Sequence, residues 1–480
     1  MAPVVLWSDA LIWLLVAAAL AFAWGSRRNP LLRAAWQRVG RSRTGMASAT
    51  VLLFYVCVGL LDSLHFRPRL ESGETQIAAS SERKPAVYAV QVLSLLDAVL
   101  SPLRTRSEKT YSEPLATRAH AKEAIELRDA SGRVRQIRDY PRLQYGGAHL
   151  GADETRRDAD IGERLLRALA IALLVWWALA AATATALARI EACSHVEAWR
   201  RIWCNETGFA CNAVLAVIAA LLLVGIALGQ LAVDYHVFGT DKVGQDVLYQ
   251  VLKSVRTALV IGLVTTLVML PLAVFLGVVA GYFRGWVDDL IQYLYTTLSS
   301  IPGVLLIAAA VLMMQVVIDT HPQWFATAAE RADLRLLALC FILGVTSWTG
   351  LCRLLRGETL KLRELEYIQA AQAFAVSDLR ILARHILPNL MHIVIIALVM
   401  DFSSLVLAEA VLSYVGIGVD PTMISFGTMI NNARLELARE PAVWWSLAAA
   451  FVFMFTLVLA ANLLADAVRD AFDPRLAGAA

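Results

Sequence analysis

Charge is scarce in this chain. Only 17% of its 480 residues are Asp, Glu, Lys or Arg, where soluble domains carry about a quarter. The apolar excess is gathered into blocks near the length needed to cross about 30 Å of hydrocarbon, so the chain reads as a polytopic membrane protein. Net charge is nearly absent too. The formal balance is +3, and because the arginines sit at span edges and in one long loop it says nothing for nucleic acid, which is not expected as a partner. Cysteine is sparse, with six residues and no Cys-x-x-Cys pair. Cys193, His195, Cys204 and Cys211 match no standard zinc spacing, and the thiols read as ordinary ones facing a reducing cytosol. No Ser–His–Asp set, metal-ligand pair or pair of catalytic carboxylates stands in a plausible context, so no covalent chemistry and no metal is assigned. "GTDKVGQD" (239–246) begins like a P-loop but has Gln245-Asp246 where Lys-Ser/Thr is needed to reach phosphate and magnesium. Asp241 and Asp246 instead suit a turn and a helix cap. With no other Walker-type sequence, this chain is not expected to hydrolyse ATP.

What is present is a series of spans. Nine are expected, near 5–24, 45–62, 165–188, 212–233, 257–283, 289–317, 335–352, 390–412 and 443–465. Arg27 and Arg28 follow the first apolar block instead of preceding it, the reverse of a signal peptide, so that block reads as a retained helix with its amino end outside. The 25–44 loop holds six arginines and no acid and is therefore placed in the cytoplasm. Alternation from there puts 353–389 inside and 413–442 outside. The segment 234–256 also falls outside, despite Lys242, Lys253 and Arg256.

Residues 63–162 form the sizeable soluble stretch, read as an extracytoplasmic module that either caps the fold, the favoured reading, or meets a partner. Within it, "AVYAVQVLSLLDAVLSPL" (86–103) is interrupted by Asp97 and reads as a packed or interfacial helix; were it to cross, the orientation of everything before it would invert. Alternation around Ser131-Gly132 predicts a β-hairpin. Pro271 and Pro302 fall inside expected spans, with Gly262, Gly277, Gly281 and Gly303 nearby, suited to close helix packing or to flexing. Asp401 and Glu409 lie in the eighth span, where an ionisable group is a functional candidate. They are the candidates for the translocation path, with one water-filled face able to hold both. A carboxylate paired to a neighbouring helix is the plainer alternative.

The stretch 356–389 is polar, mixed in charge and helical in pattern. Leu360, Leu362, Leu365, Ile368, Ala371 and Phe374 share most of one face. A turn at Ala375-Val376 follows, then Ser377 as N-cap with Asp378 in the first turn, then a second helix that Pro388 interrupts. An interfacial helix on lipid headgroups is the alternative, weakened by Glu358, Glu364, Glu366 and Asp378. The segment resembles the EAA loop of ABC importer permeases, whose pattern is Glu-Ala-Ala, three residues, Gly, nine residues, Ile, one residue, Leu-Pro. Here the matching positions are Gln369-Ala370-Ala371, Ala375, His385 and Leu387-Pro388. Gln for Glu removes a possible ion pair with the ATPase, and Ala for Gly disfavours a left-handed turn.

"FGTDKVGQDVL" (238–248), "GYFRGWVDDLI" (281–291), "SIPGVLL" (300–306) and "AEAVLSYVGIGV" (408–419) are similar, in order, to the dipeptide, oligopeptide and nickel permease subfamily. The resemblance covers about 212–475. It implies an all-α type I importer bundle, here carrying about three extra N-terminal spans and a roughly 100-residue extracytoplasmic insert. The divisions would be 1–62, two spans with a basic loop; 63–162, the module; 163–211, a third span and linker; and 212–475, a six-span core. The resemblance further implies a permease of a bacterial inner membrane moving peptides or similar small solutes. Its partners would be a homologous second permease, two ABC ATPases gripping the 356–389 arms and holding the ATP and magnesium, an extracytoplasmic solute-binding protein, and membrane lipids. An ABC exporter permease, a secondary transporter, or a membrane sensor with 63–162 as input domain are the other readings.

Overall fold

In the computed structural model, residues 2–26, 28, 30–69, 88–128, 134–151, 153–325 and 327–472 are described. Helices dominate, and among the described residues nine are long and apolar enough to cross a membrane. Three begin the chain: α1 (Trp7–Ser26), the amphipathic α2 (Pro30–Arg41) and α3 (Arg43–Asp62), whose N-cap Ser42 accepts a hydrogen bond from the Gly45 N–H. Strands cluster around the soluble stretch. β1 (Ala2–Val4), β2 (His65–Arg67) and β3 (Leu93–Ser94) form an antiparallel sheet in that order. Two short helices follow, α4 (Leu95–Val99) and α5 (Ser101–Thr105), so the described part of 86–103, from Tyr88 on, does not span. Asp97, which interrupts that apolar run, closes a capping box with Ser94. β4 (Glu123–Arg128) pairs with β5 (Val134–Asp139) as the expected hairpin; Ser131 and Gly132 at its turn lie outside the described residues.

The remaining helices are α6 (Arg157–Ile190), α7 (His195–Cys204), α8 (Cys211–Ala232), α9 (Val247–Phe283), α10 (Gly285–Ser300), α11 (Gly303–Thr320), α12 (Ala328–Ser347), α13 (Thr349–Arg363), α14 (Glu366–Ala373), α15 (Asp378–Ile381), α16 (Leu387–Tyr414), α17 (Phe426–Glu436) and α18 (Trp445–Phe472). One expectation fails here. The span expected at 289–317 is two helices, α10 and α11, parted at Ile301-Pro302. The residue before a proline is pushed out of the helical region, and Ile301 is extended at φ −89°, ψ 131°. Hydropathy ran across the break without registering it. Pro271, by contrast, sits inside an unbroken α9. Gly277 and Gly281 do serve close packing, because a Cβ on either would come within 2.7 Å of a carbonyl oxygen of α13. Gly303 has no neighbour for a Cβ to meet within 4 Å.

The bundle has two ends. At one end the module covers the starts of α9 and α18 and the end of α17: Glu108 meets His236 at 3.4 Å just before α9, His120 lies edge-on against Trp445, and Tyr111 donates to Glu436 at 3.2 Å. At the other end α2 lies against the last turn of α18, where Arg38 donates to the Ala471 carbonyl at 3.3 Å and Trp36 meets Phe472 edge-on. The 191–210 loop joins that end, with the Ala210 N–H donating to Gly40 O at 2.8 Å. α9 runs from the module end to the 364–386 segment, which therefore lies opposite the module.

Candidate functional site

The segment 364–386 is a bent, pinned arm. Ile368, Ile381 and Ile386 are fully buried and pack in one cluster with Leu351, Cys352 and Leu355 of α13 and Val278 and Tyr282 of α9. Burying each large aliphatic side chain stabilises by about 1.5–3 kcal/mol, so three of them fix the arm firmly to the bundle. Polar ties add direction. Tyr282 donates its hydroxyl to Asp378 at 2.6 Å, Gln372 donates to the same hydroxyl at 3.3 Å, and Arg363 donates to the Tyr282 carbonyl at 2.8 Å. Arg284 pairs with Glu364, and Arg356 makes a two-bond fork with Asp288 at 2.5 and 2.7 Å. These partners belong to the 281–291 motif, so that motif braces the arm. The sequence gives no hint of it, because the two segments lie about 80 residues apart.

The turn differs from expectation. Ala375 is left-handed at φ 55°, although it stands where glycine is usual. The Val376 N–H donates to Ala371 O at 3.1 Å and the Ala375 N–H to Gln372 O at 2.9 Å, the paired bonds of a Schellman closure. Two bonds, with Val376 packed beside Ala371, hold the backbone where an alanine alone would not go. Ser377 occupies the N-cap position of α15 but makes no side-chain cap bond; its neighbour Asp378 is turned to Tyr282. Pro388 does not end the second helix. α15 continues through one π turn at Leu382–Ile386 into α16, with Pro388 in the first turn of α16. A π turn shifts the hydrogen-bond register, which accommodates a residue lacking an N–H.

Phe374 is also misplaced by the periodicity. α14 ends at Ala373, so Phe374 leaves the buried face and stands 83% exposed, with Leu379 at 79% across the turn. Of the other arm residues singled out, Gln369, Ala370, Ala375, Ser377, Asp378 and Pro388 are exposed, and Ala371, His385 and Leu387 are half-buried. Gln369 donates to the Glu364 carbonyl at 3.2 Å. His385 lies beside Tyr367, whose hydroxyl accepts from Asn389 at 3.0 Å. The arm thus offers a rigid polar ledge carrying two apolar knobs.

Asp401 and Glu409 do not share one cavity. Asp401 lines a cavity of about 480 Å³ between α13, α16 and α18, with Arg469 at its edge. Glu409 is buried, and its Oε1 accepts from Ser413 at 2.6 Å and Ser425 at 3.0 Å. That carboxylate ties α16 to the cap of α17. Asp246 caps α9 by accepting from the Leu248 and Tyr249 N–H groups at 2.8 and 3.4 Å, and Asp241 closes the preceding turn through Val243 and Gln245.

At the module end, His236 is buried between Asp246 at 2.8 Å and Glu108 at 3.4 Å. Burial alone would lower its pKa, but the two carboxylates outweigh that and raise it to about 9. Glu108 also accepts from the backbone N–H groups of Gln144, Tyr145 and Gly146. Desolvation pushes its carboxyl up, yet His236 and those donors hold it down at about 2. A charged imidazole therefore clamps the module onto the start of α9.

A family model described as binding-protein-dependent transport system inner membrane component matches residues 273–478. The glutathione transport system permease protein GsiD of Pectobacterium atrosepticum is 34% identical over 243 residues, which is 50% of this chain and 73% of that protein. The oligopeptide transport system permease protein OppC of Mycobacterium tuberculosis is 32% identical over 239 residues, 50% of this chain and 76% of that protein. A solved inward-facing form of the MetNI methionine ABC transporter overlaps 47% of this chain and 97% of that one, at 16% identity and a TM-score of 0.34, too low a likeness to argue from. About half of the chain lies outside each of the two permease alignments, and α1 to α3 precede the residues that the family model matches.

Proposed function

Because this chain belongs to the inner-membrane permease components of binding-protein-dependent ABC importers, we propose that it moves peptides or similar small solutes under the power of separate ATPases that dock on the 364–386 arm. The observation that carries this reading is the arm itself: a ledge fixed by three buried isoleucines and the Tyr282–Asp378 bond, presenting Phe374 and Leu379 outward. A rigid element transmits displacement where a flexible one would absorb it. ATP and magnesium would be held by the two ATPases, and closing them would push the ledge and so bias the bundle between its two openings. The bias cannot exceed the difference in ATP binding free energy between the two states. A homologous second permease would complete the path, with Asp401 facing its cavity, and a solute-binding protein would deliver at the module end. The basic 25–44 loop at the arm's end supports placing the arm in the cytoplasm. The relatives named above carry glutathione and oligopeptides, which supports a peptide-like solute.

The test is affinity purification of the assembled complex. Ala370→Arg, Phe374→Asp and Leu379→Asp should each cut ATPase recovery at least tenfold while the second permease still co-purifies. Unchanged ATPase recovery with both knobs replaced by aspartate would remove the arm as the docking ledge.

A further inference from the structure

Helices α1 to α3, which precede the residues that the family model matches, meet α9 and α18 along a seam, and two features lie on it. The first is a cavity of about 380 Å³ lined by Leu15 of α1, Leu52 and Val56 of α3, Leu263 of α9, Leu398 of α16 and Ala461 of α18, among others. Of its lining side chains only Thr266 is polar, and that hydroxyl donates to the Gly262 carbonyl at 2.6 Å. The second is a basic rim on α2 and the start of α3, at the arm end of the bundle. Arg33 and Arg41 on α2 and Arg43 at the start of α3 are exposed, and none forms an ion pair among the described residues. α2 is held in place by Val39, which packs with Val468 and Ala471 of α18.

Depth connects the two. At 1.5 Å per residue, Leu52 and Val56 stand about 14 and 20 Å along α3 from Arg43, and Ala461 about 15 Å along α18 from Ala471. Half of the hydrocarbon thickness is about 15 Å. A chain whose head rests on the arginines therefore reaches the cavity with its tail, and the surrounding solvent at that depth is lipid. Anionic headgroups are drawn to such juxtamembrane arginines, whereas a zwitterionic headgroup gains little from them.

We propose that this seam is a binding site for one anionic phospholipid of the arm-side leaflet. Its headgroup sits on Arg33, Arg41 and Arg43, and one acyl chain fills the cavity between α3, α16 and α18. The site would fasten the extra helices to the core by a lipid wedge, independently of what docks on the arm.

The experiment is native mass spectrometry of the full-length chain in mild detergent, titrated with phosphatidylglycerol or phosphatidylcholine. Wild type should hold one phosphatidylglycerol at least tenfold more tightly than phosphatidylcholine. Each arginine near the surface is worth about fivefold in affinity, so Arg33→Gln, Arg41→Gln and Arg43→Gln together should weaken phosphatidylglycerol roughly 100-fold and leave phosphatidylcholine unchanged. The same three positions as lysine should restore it. Filling the cavity with Val56→Trp and Leu398→Trp should weaken both lipids alike. Equal affinity of wild type for the two lipids, full phosphatidylglycerol binding by the cavity-filled variant, or displacement by inorganic phosphate would each overturn the site. The rim and cavity variants disrupt different regions, so misfolding of one leaves the other decisive.

Discussion

Ala375 sits at φ 55°, a conformation that disfavours an L residue by about 1–2 kcal/mol. The Schellman bonds from Ala375 and Val376 offset that cost in the folded arm. Glycine removes the strain but brings greater freedom in the unfolded chain, a loss of roughly 0.5–1 kcal/mol. Ala375→Gly should therefore stabilise the turn by about 0.5–1 kcal/mol. Amide exchange across 374–378 should slow by roughly two- to fivefold, and Ala375→Val, β-branched and worse suited to positive φ, should speed it. Exchange that is the same in all three proteins would show that the turn carries no strain. The spacing of Gln369-Ala370-Ala371, Ala375 and Leu387-Pro388 located this turn in the sequence, but not its handedness, since the preference of alanine is overridden by two bonds that exist only once α14 has formed. Glu409 was legible in the same partial way. A carboxylate in an apolar run is visible, whereas its partner Ser425, 16 residues on, is not.

Elements were legible where a single period or composition ran their whole length, and illegible where two segments distant in sequence decide the outcome. Apart from 289–317, the other eight expected spans follow from hydropathy, and the β4–β5 hairpin from alternation. The break between α10 and α11 escaped because both pieces are apolar, and the continuity of α15 with α16 escaped because Pro388 reads as a stop until a π turn absorbs it. The clamp between the module and α9 belongs to this scale, and its charges set a pH window. His236 has its pKa raised to about 9 from 6.5, so its contribution is complete below about 6.5 and is lost as pH climbs through about 9. Glu108 is lowered to about 2 from 4.5, so its contribution is complete above about 4.5 and is lost as pH falls through about 2. Each shift corresponds to on the order of 3 kcal/mol, and because the His236–Glu108 contact contributes to both, the two are not additive; Asp246 supplies the rest for His236 and the three backbone donors the rest for Glu108. Limited proteolysis of residues 108–150 in the purified chain should be slowest between about pH 4.5 and 6.5 and accelerate towards pH 9.5. His236→Gln should be cleaved faster at pH 6 and lose the alkaline acceleration. An alkaline limb that persists in His236→Gln would assign it to some other group.

Taken whole, the molecule is a permease core with foreign helices fastened to it, and the fastening is ionic where it is deepest. Arg256 of α9 is buried and donates to Asp9 of α1 at 2.6 and 3.2 Å and to the Ser8 hydroxyl at 2.7 Å. The other oxygen of Asp9 meets His65 of β2 at 2.7 Å, and the Ser8 N–H donates to Asp333 of α12 at 3.1 Å. One turn earlier on α9, Lys253 holds Asp62 at the end of α3 and Asp97 of the module at 2.7 and 3.1 Å. The first helix, the end of α3 and the module are thus each tied to α9 through a charge that could not stay buried alone. Removing one member of such a pair strands the other and costs about 3–5 kcal/mol, while replacing both with apolar residues of similar size is often close to neutral. Asp9→Leu should therefore lower the thermal midpoint of the detergent-solubilised chain markedly, as should Arg256→Met. The double variant Asp9→Leu with Arg256→Met should recover at least half of that loss, the remainder reflecting His65 and Ser8 left without their partner. A double variant as unstable as the sum of the two singles would mean that α1 is held by its apolar packing on α9 and α12, with the ion pair incidental to how the extra helices join the core.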